Sequence, residues 1–103
     1  MDNKVVARVS WIPTEQGGKK RFPLINYSTA AHFHYDVADR DWSVVLNIIS
    51  NYDNYETLCN IEFLFPEKAP GNLLFVGSKF ELYEHRKVAD EEIIEIEKEE
   101  VMR

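Results

Sequence analysis

The sequence has few cysteines, glycines and prolines, and it has no long apolar run. One cysteine, Cys59, excludes an internal disulfide and any metal site built from several cysteines. Because 45% of the 103 residues are hydrophobic and only four are glycine and four proline, the composition excludes a disordered chain. The apolar runs at residues 44–46 and 63–65 are far shorter than the roughly 20 residues of a membrane-spanning helix. We therefore expect a single domain over residues 1–103 with no membrane partner.

Two functional segments are also missing. The first residues, from Met1 to Lys4, show no charged head followed by an apolar stretch and a cleavage site, so we expect no secretory signal and a cytoplasmic location. The phosphate-binding motif G-x-x-x-x-G-K-[S/T] does not occur, so no nucleotide is expected to bind. No motif predicts a cofactor.

Positive charge is scarce relative to negative charge, and the excess is local. The chain has 12 basic and 18 acidic residues, a net charge of −6. Residues 90–100 alone hold seven acids and one lysine, so the remaining chain is balanced. A neutral body has no long-range attraction for phosphates, which disfavours nucleic-acid binding. We interpret the acidic C-terminal segment 90–103 as a charged edge strand or tail, in preference to a docking motif.

Apolar residues recur at every second position in several segments, which is the pattern of a strand with one buried face. The alternation covers residues 5–12, 31–37, 59–65 and 79–83, the last of which leads through a polar link into a hairpin. Residues 42–49 are apolar on both faces and predict a strand that either crosses the core or is covered on both sides. The isoleucine- and glutamate-rich C-terminal stretch fits a last strand or a short helix. We predict an all-β fold, a small closed or partly open antiparallel barrel of six to seven strands.

Residue patterns towards the two ends of the chain resemble those of a known domain. The first pattern runs from a strand into a Glu-Gln-Gly-Gly-Lys loop and comprises Val6–Val9, Glu15–Lys19, Pro23, Asn26–Tyr27 and Phe33. The second comprises Gly77, Phe80, Leu82, Glu84, Arg86, Val88, Ala89 and Ile93. Together they resemble the C-terminal β-barrel domain of elongation factor Tu, a translational GTPase. The resemblance implies a bacterial stand-alone barrel, an accessory module without the GTPase motor.

The resemblance also implies where an RNA would bind. In the family, the barrel contacts the T-stem of aminoacyl-tRNA partly through a glutamate of the last hairpin, which corresponds to Glu84 here. Ser28 stands where the family has an arginine after its Gly-Tyr pair, and residues 90–92 are all acidic. Binding of tRNA or another RNA is therefore an alternative function, which the charge balance disfavours.

Three segments are candidates for contacts with a partner. Residues 19–21 form the only basic cluster, directly after two glycines. Tyr52 and Tyr55, with Trp42 shortly before them, lie in a turn-forming cluster that has either the composition of a binding surface or rings that pack onto the barrel end. The hairpin after residue 83 is the third segment. The candidate partner-binding residues are Gly17, Gly18, Lys19, Lys20, Arg21, Tyr27, Tyr52, Tyr55, Glu84, Arg86 and Lys87.

No residue pattern predicts catalysis. Cys59 lies on the apolar face of its strand, where we expect a buried residue with no base beside it. Carboxylates occur in pairs, but none lies in a pattern that would isolate one from water and raise its pKa. We therefore predict a non-catalytic module, not an enzyme, in which a rigid barrel presents loops to a protein partner.

His32 and His34 give the remaining alternative, a small metal-dependent enzyme. Their i, i+2 spacing on a strand places two imidazoles on one face, where they can supply two ligands of a zinc or iron site. Asp36 or His85 would have to supply a third ligand. We favour the interpretation that both histidines lie on the polar outer face of the strand, and no metal site is predicted.

Overall fold

Six antiparallel strands form a closed barrel in the computed structural model, which describes residues 3–98. The strands are β1 (Asn3–Trp11), β2 (Asn26–Phe33), β3 (Asp41–Tyr52), β4 (Glu56–Phe63), β5 (Lys79–Tyr83) and β6 (Lys87–Lys98). Around the barrel their order is β1-β4-β3-β2-β5-β6, and β6 pairs with β1 to close the sheet. The predicted all-β antiparallel barrel is confirmed, and it is closed and six-stranded.

Alternation of apolar and polar residues directs one face of each strand into the barrel. In β1, Val9 and Trp11 are buried, whereas Arg8 is exposed on the outer face. Strands β2 and β5 are paired, and on their inner face Phe33 stacks on its direct neighbour Phe80 with ring centroids 4.3 Å apart. Truncation of a buried phenylalanine to alanine typically costs about 3–5 kcal/mol, so this stack is a main contributor to the stability of the core.

Strand β2 begins and ends earlier in the chain than the alternating pattern of residues 31–37 predicts. The pattern extends to Val37, but the strand ends at Phe33, and the side chains of Tyr35 and Val37 are exposed. The cause is a turn organised by Asp36, whose carboxylate accepts hydrogen bonds from a backbone N–H at 3.0 Å and from Trp42 Nε1 at 2.9 Å. Such local bonds compete with strand pairing. The strand prediction is therefore wrong beyond Phe33.

Two further boundaries differ from the prediction. Strand β3 extends to Tyr52, so the turn predicted over residues 50–57 is reduced to residues 53–55. Strand β4 ends at Phe63, and Phe65, which the alternation places on the buried face, is exposed. Pairing with β4 carries β3 into the turn-forming residues, whereas in β4 the alternation continues past the point where the backbone leaves the sheet. Side-chain period alone does not report hydrogen-bond partners.

The acidic C-terminal segment is a central strand of the closed sheet. Strand β6 pairs with β1 on one side and with β5 on the other, so it is not an edge strand, and the predicted edge is wrong. Barrel closure removes every edge, which is why acidic residues are not needed there to block pairing. The ambiguity between strand and helix is resolved in favour of a strand. Residues 99–103 of the predicted acidic segment lie outside the described residues.

The loops gather at two ends of the barrel, which we name after one residue of each. The Glu84 end is formed by residues 12–25, 53–55 and 84–86, and the Phe75 end by residues 34–40 and 64–78. Within residues 3–98, no helix has the length and apolar character that crossing a membrane requires. The two ends therefore carry the long connections, while the strands supply a common core.

Candidate functional site

The loop of residues 12–25 folds back on itself because two consecutive glycines allow it. A Cβ atom at Gly18 would lie 1.7 Å from the carbonyl oxygen of Ile12, so only glycine fits there. Its N–H donates to the carbonyl oxygen of Pro13 at 3.0 Å. Gly17 has a φ of 92°, a left-handed conformation that side-chain-bearing residues rarely adopt. These contacts direct Lys19 towards the β5–β6 hairpin.

Three polar side chains join this loop to the hairpin. Lys19 Nζ lies 2.5 Å from Glu84 Oε2, and the hydroxyl of Tyr27 donates to the same carboxylate oxygen. The Lys19 ammonium also lies 4.9 Å from the centroid of the Tyr27 ring. Burial alone would raise the pKa of the Glu84 carboxyl, but the bonds from Lys19 and Tyr27 outweigh it and lower that pKa. Burial and the adjacent carboxylate raise the pKa of the Tyr27 phenol.

A narrow cleft separates the loop from the hairpin next to these side chains. It encloses about 150 Å³ and is lined by Gly17, Gly18, Lys19, Glu84, His85, Arg86 and Val88. Arg86 extends over Gly17, where an added Cβ atom would lie 3.1 Å from Arg86 Nη1. The cleft therefore combines backbone from the glycine loop with charged side chains from the hairpin.

A larger opening, the aromatic pocket, lies beside the cleft and encloses about 340 Å³. Its walls are Trp11, Phe22, Leu24, Tyr52, Tyr55 and Thr57, and its rim carries Asn51, Asp53 and Glu56. The rings contact each other in series, with centroids 5.5 Å apart for Trp11 and Phe22 and 5.8 Å for Phe22 and Tyr55. Trp11 also contacts Tyr27, with ring centroids 5.7 Å apart. The pocket therefore adjoins the polar cluster, which is formed by Lys19, Tyr27 and Glu84.

A chain of hydrogen bonds holds the base of the aromatic pocket. Trp11 Nε1 donates to the hydroxyl of Thr57 at 2.7 Å, and that hydroxyl donates to the side-chain oxygen of Asn51. The Asn51 amide in turn donates to the carbonyl oxygen of Pro23 at 3.0 Å. Because each buried polar group has a partner, the indole ring is held in one orientation.

Tyr55 adopts a strained backbone conformation at the tip of the β3–β4 turn. Its φ of 62° lies in the left-handed region, where a bulky residue is unusual. Its carbonyl oxygen accepts a bond from Trp11 N at 2.8 Å, and its hydroxyl donates to Glu15 Oε2 at 3.3 Å. The Glu15 charge raises the pKa of the Tyr55 phenol. The turn and the 12–25 loop are thus connected through this one residue.

Most of the predicted partner-binding residues meet at the Glu84 end. Those around the cleft and its polar cluster are Gly17, Gly18, Lys19, Tyr27, Glu84 and Arg86, and the aromatic pocket holds Tyr52 and Tyr55. Within residues 3–98, Lys20 and Arg21 are exposed and form no ion pair. Lys87 does not join the group, because its ammonium lies 2.8 Å from Asp90 and 3.6 Å from Glu81.

Trp42 does not belong to this site, so its predicted grouping with Tyr52 and Tyr55 is wrong. It lies at the opposite end of β3, where its ring contacts Phe63 with centroids 6.4 Å apart. Because a twelve-residue strand separates the first and last residues of β3, proximity in sequence does not place them at one end.

Of the apolar and aromatic side chains that line the aromatic pocket, Trp11, Phe22 and Leu24 were not predicted from the sequence. Trp11 has the inward parity of β1 but is the last residue of that strand, so its ring lies at the mouth of the barrel. Leu24 is 80% exposed, and Phe22 follows directly after the basic cluster. An aromatic residue at the last inward position of a strand is the signal that could have indicated the pocket.

The two histidines lie at the Phe75 end and contact carboxylates separately. His32 lies between Asp39 and Asp41, each 3.0 Å from one of its ring nitrogens, whereas His34 Nε2 lies 3.4 Å from Glu81. The hydrogen bond to Asp41 raises the pKa of His32. In the part of the chain that the structure describes, no three histidine, cysteine or acidic side chains are grouped to hold a metal ion.

Cys59 is buried as predicted, but it contacts a carboxyl group that the sequence did not reveal. Glu91 is 2% exposed, and Cys59 Sγ lies 3.4 Å from Glu91 Oε2 inside the barrel. Burial raises the pKa of Glu91 to about 8 and also raises the pKa of the Cys59 thiol. The expectation that no carboxylate is isolated from water is therefore wrong. A thiol with a raised pKa stays protonated and is a poor nucleophile at neutral pH.

Comparisons with protein-family models, with curated proteins and with solved structures find no match to this chain. The fold and the site together define a small all-β barrel with an aromatic pocket and a charged cleft at one end.

Proposed function

We propose that this chain is a non-catalytic module of the cytoplasm that binds a protein partner through its Glu84 end. One observation carries the proposal. Three chain segments that connect different strands converge on this end, and side-chain contacts join all three around two adjacent openings. A rigid sheet that holds such loops is the usual scaffold of a binding site.

The contacts at this end hold the loops in place, which favours a role in binding over one in conformational change or catalysis. The Lys19–Glu84 pair joins the 12–25 loop to the hairpin, and the Tyr55–Glu15 bond joins it to the β3–β4 turn. A surface whose side chains are already ordered loses less conformational freedom when a partner binds. The resemblance to the translation-factor barrel supports the same end, because Glu84 corresponds to a contact residue of that family.

A protein partner fits the local charge better than RNA does. Lys19 is neutralised by Glu84, which leaves Lys20 and Arg21 as the exposed cations of the basic cluster. With the exposed Arg86 of the hairpin, these three cations supply few phosphate contacts, and affinity for nucleic acid depends on their number. The acidic residues Asp53 and Glu56 on the rim of the aromatic pocket would also repel a phosphate backbone.

Site-specific photo-crosslinking in cells that produce this chain tests the proposal. A photoreactive amino acid replaces Leu24 at the Glu84 end or, in the matched variant, Val76 at the Phe75 end; both side chains are exposed, at 80% and 58%. We expect a discrete adduct at position 24 that resists ribonuclease and is digested by protease. Substitution of Tyr52, which is also exposed, by serine should remove that adduct without unfolding the barrel.

Three results would contradict the proposal. An adduct that ribonuclease removes would make RNA the ligand. Equal or stronger crosslinking at position 76 would place the binding surface at the Phe75 end. No adduct above background at position 24, in a variant whose spectrum shows a folded barrel, would mean that this end has no partner in the cells tested.

A further inference from the structure

The aromatic pocket combines ring faces with carboxylates and has no basic residue among those that line it. Tyr52 is 55% exposed and Tyr55 is half-buried, so two tyrosine rings border the opening. Asp53 and Glu56 stand on the rim, and neither forms an ion pair within residues 3–98. Glu15, bonded to the Tyr55 hydroxyl, adds a third acid at the edge. The opening therefore has negative charge without an internal cation to balance it.

In the neighbouring polar cluster, a cation of this chain occupies the space between a tyrosine ring and a carboxylate. There the Lys19 ammonium lies 4.9 Å from the centroid of the Tyr27 ring and 2.5 Å from a carboxylate oxygen of Glu84. A cation is thus held between a tyrosine ring and a carboxylate. At the same end of the barrel, the aromatic pocket offers tyrosine rings and carboxylates of the same kind, but no residue of the described chain supplies the cation.

From this geometry we infer that the aromatic pocket binds the guanidinium group of an arginine in a basic segment of the partner. The inference rests on the proposed function and names the chemistry its partner presents. A guanidinium group stacks on tyrosine faces and donates paired hydrogen bonds to carboxylates. At about 340 Å³, the pocket is at the lower end of the range for small-molecule sites, which suits one long side chain.

An uncharged apolar side chain fits the pocket less well. It would fill the space between Phe22, Leu24 and Tyr52, but it would remove water from Asp53 and Glu56 without giving them a partner. Covering a carboxylate without a compensating bond is unfavourable. The methylene groups of an arginine can contact the rings while its charged end reaches the rim.

A nuclear magnetic resonance titration of the full chain with two peptides tests the inference. Both are short glycine-serine peptides, one with a single central arginine and the other with citrulline, which has the shape of arginine without its charge. We expect the arginine peptide to shift the indole N–H of Trp11 and the amides of Tyr55 and Thr57 in a saturable way. The citrulline peptide should bind about tenfold more weakly or without saturation, because it lacks the charge that pairs with the rim acids.

Three variants separate binding in the pocket from an effect of the protein's general acidity. The double variant Asp53→Asn with Glu56→Gln should weaken binding of the arginine peptide by about tenfold. Glu67→Gln, which removes an exposed acid of the Phe75 end, should change it less than about twofold. Tyr52→Leu keeps an apolar wall but removes a ring face, so it should weaken binding by about threefold. The amide spectrum of each variant reports whether the barrel is folded.

The inference fails if the two peptides bind equally, or if the Glu67 variant loses as much affinity as the double variant. It also fails if the shifts are spread over the surface and spare Trp11. These failures are distinct from that of the proposed function, because crosslinking at position 24 would then persist with a partner that uses other parts of the Glu84 end. Crosslinking at position 76 alone would instead overturn both.

Discussion

The two ends of the barrel share one core but are built in different ways. At the Glu84 end, the aromatic rings contact each other, and polar side chains join three separate loops. At the Phe75 end, apolar side chains extend into solvent from two loops that meet through the Tyr35–Phe75 ring contact at 5.3 Å. Val37 is fully exposed there, and Val76 is 58% exposed.

The two ends differ in how their contacts fix the shape of the loops. Hydrogen bonds and ion pairs have directions, so the ties among Lys19, Tyr27 and Glu84 hold the loops in one arrangement. At the Phe75 end the directional bonds of Asp36 and His32 stay within the 34–40 loop and the strand residues next to it, whereas the Tyr35–Phe75 contact between the two loops is apolar and has no preferred direction. Directional contacts between separate loops therefore define the shape of the Glu84 end.

The largest change in stability should come with pH and should originate in Glu91, in the core that both ends share. The pKa of Glu91 is about 8 in the folded barrel against a usual value of 4.5, so the folded state binds more protons between those pH values. The contribution of Glu91 to stability should be fully present below about pH 4.5 and should be lost as the pH rises through about 8. At about 1.4 kcal/mol per pH unit, the loss between pH 5 and 7.5 is on the order of 3 kcal/mol.

Urea unfolding at a series of pH values checks this dependence. Glu91→Gln keeps the size of the side chain without its titration, so its profile should be flatter, and the variant should exceed the original chain in stability above pH 8. Glu92→Gln, on the outer face and paired with Arg8 at 3.7 Å, should keep the original slope. Parallel profiles for the Glu91 variant and the original chain would show that Glu91 is not buried as described.

The next effect is specific to the Glu84 end. Gly18→Ala places a Cβ atom 1.7 Å from a carbonyl oxygen, whereas Gly71→Ala at the Phe75 end meets nothing within 4 Å. We expect the first substitution to cost about 2 kcal/mol or more and the second to stay within about 0.5 kcal/mol. Thermal or urea unfolding measures both. Equal stability of the two variants would mean that the loop of residues 12–25 does not fold back as described.

Asp36 at the Phe75 end and Lys19 at the Glu84 end differ in how many contacts depend on them. Asp36 alone accepts bonds from Trp42 Nε1 and from two backbone N–H groups, and the Trp42 bond lowers its pKa. Asp36→Ala should therefore lower the free energy of unfolding, measured by urea unfolding. Lys19→Met should cost less, about 0.5–1 kcal/mol, because Tyr27 still holds Glu84. Glu67→Ala, at an exposed acid of the Phe75 end, serves as the control. A smaller loss for Asp36→Ala than for Lys19→Met would reverse the comparison.

The smallest effect is a titration at the Phe75 end. Because Asp41 and Asp39 contact its ring, the pKa of His32 should lie above the usual 6.5. Stability from these contacts is present below about pH 6.5 and is lost as the pH rises through the higher folded value. Nuclear magnetic resonance titration of the ring measures this pKa, and Asp41→Asn should lower it. A pKa at or below 6.5 in the original chain would contradict the His32–Asp41 contact.

Much of the fold could be predicted from the alternation of apolar residues. Strand β1 follows it from Ala7 to Trp11 and β5 follows it throughout, because only one face of each is fully buried. The alternation failed at Tyr35 and Val37, where the carboxylate of Asp36 organises a turn. Period 2 describes where side chains point, but it does not register a local bond that ends the strand.

The candidate site could be predicted in part. The glycine loop and the hairpin residues around Glu84 were indicated by local sequence, and the barrel brings them together. The buried carboxyl of Glu91 was not indicated, because the sequence shows an acidic run and does not reveal which of its members faces the interior of a closed sheet. The role of Trp11 depends on where its strand ends, which is the least certain feature of any pattern.

The order of the free Glu84 end decides whether the binding surface is shaped before a partner arrives, and backbone amide relaxation of residues 17–19 and 84–86 measures it. The ties among Lys19, Tyr27 and Glu84 predict order parameters near the rigid value of about 0.85 in both segments. In Glu84→Gln, the values for residues 17–19 should fall while those of the Phe75 end stay unchanged. Values below about 0.6 in the original chain would contradict a binding surface that is shaped before its partner arrives.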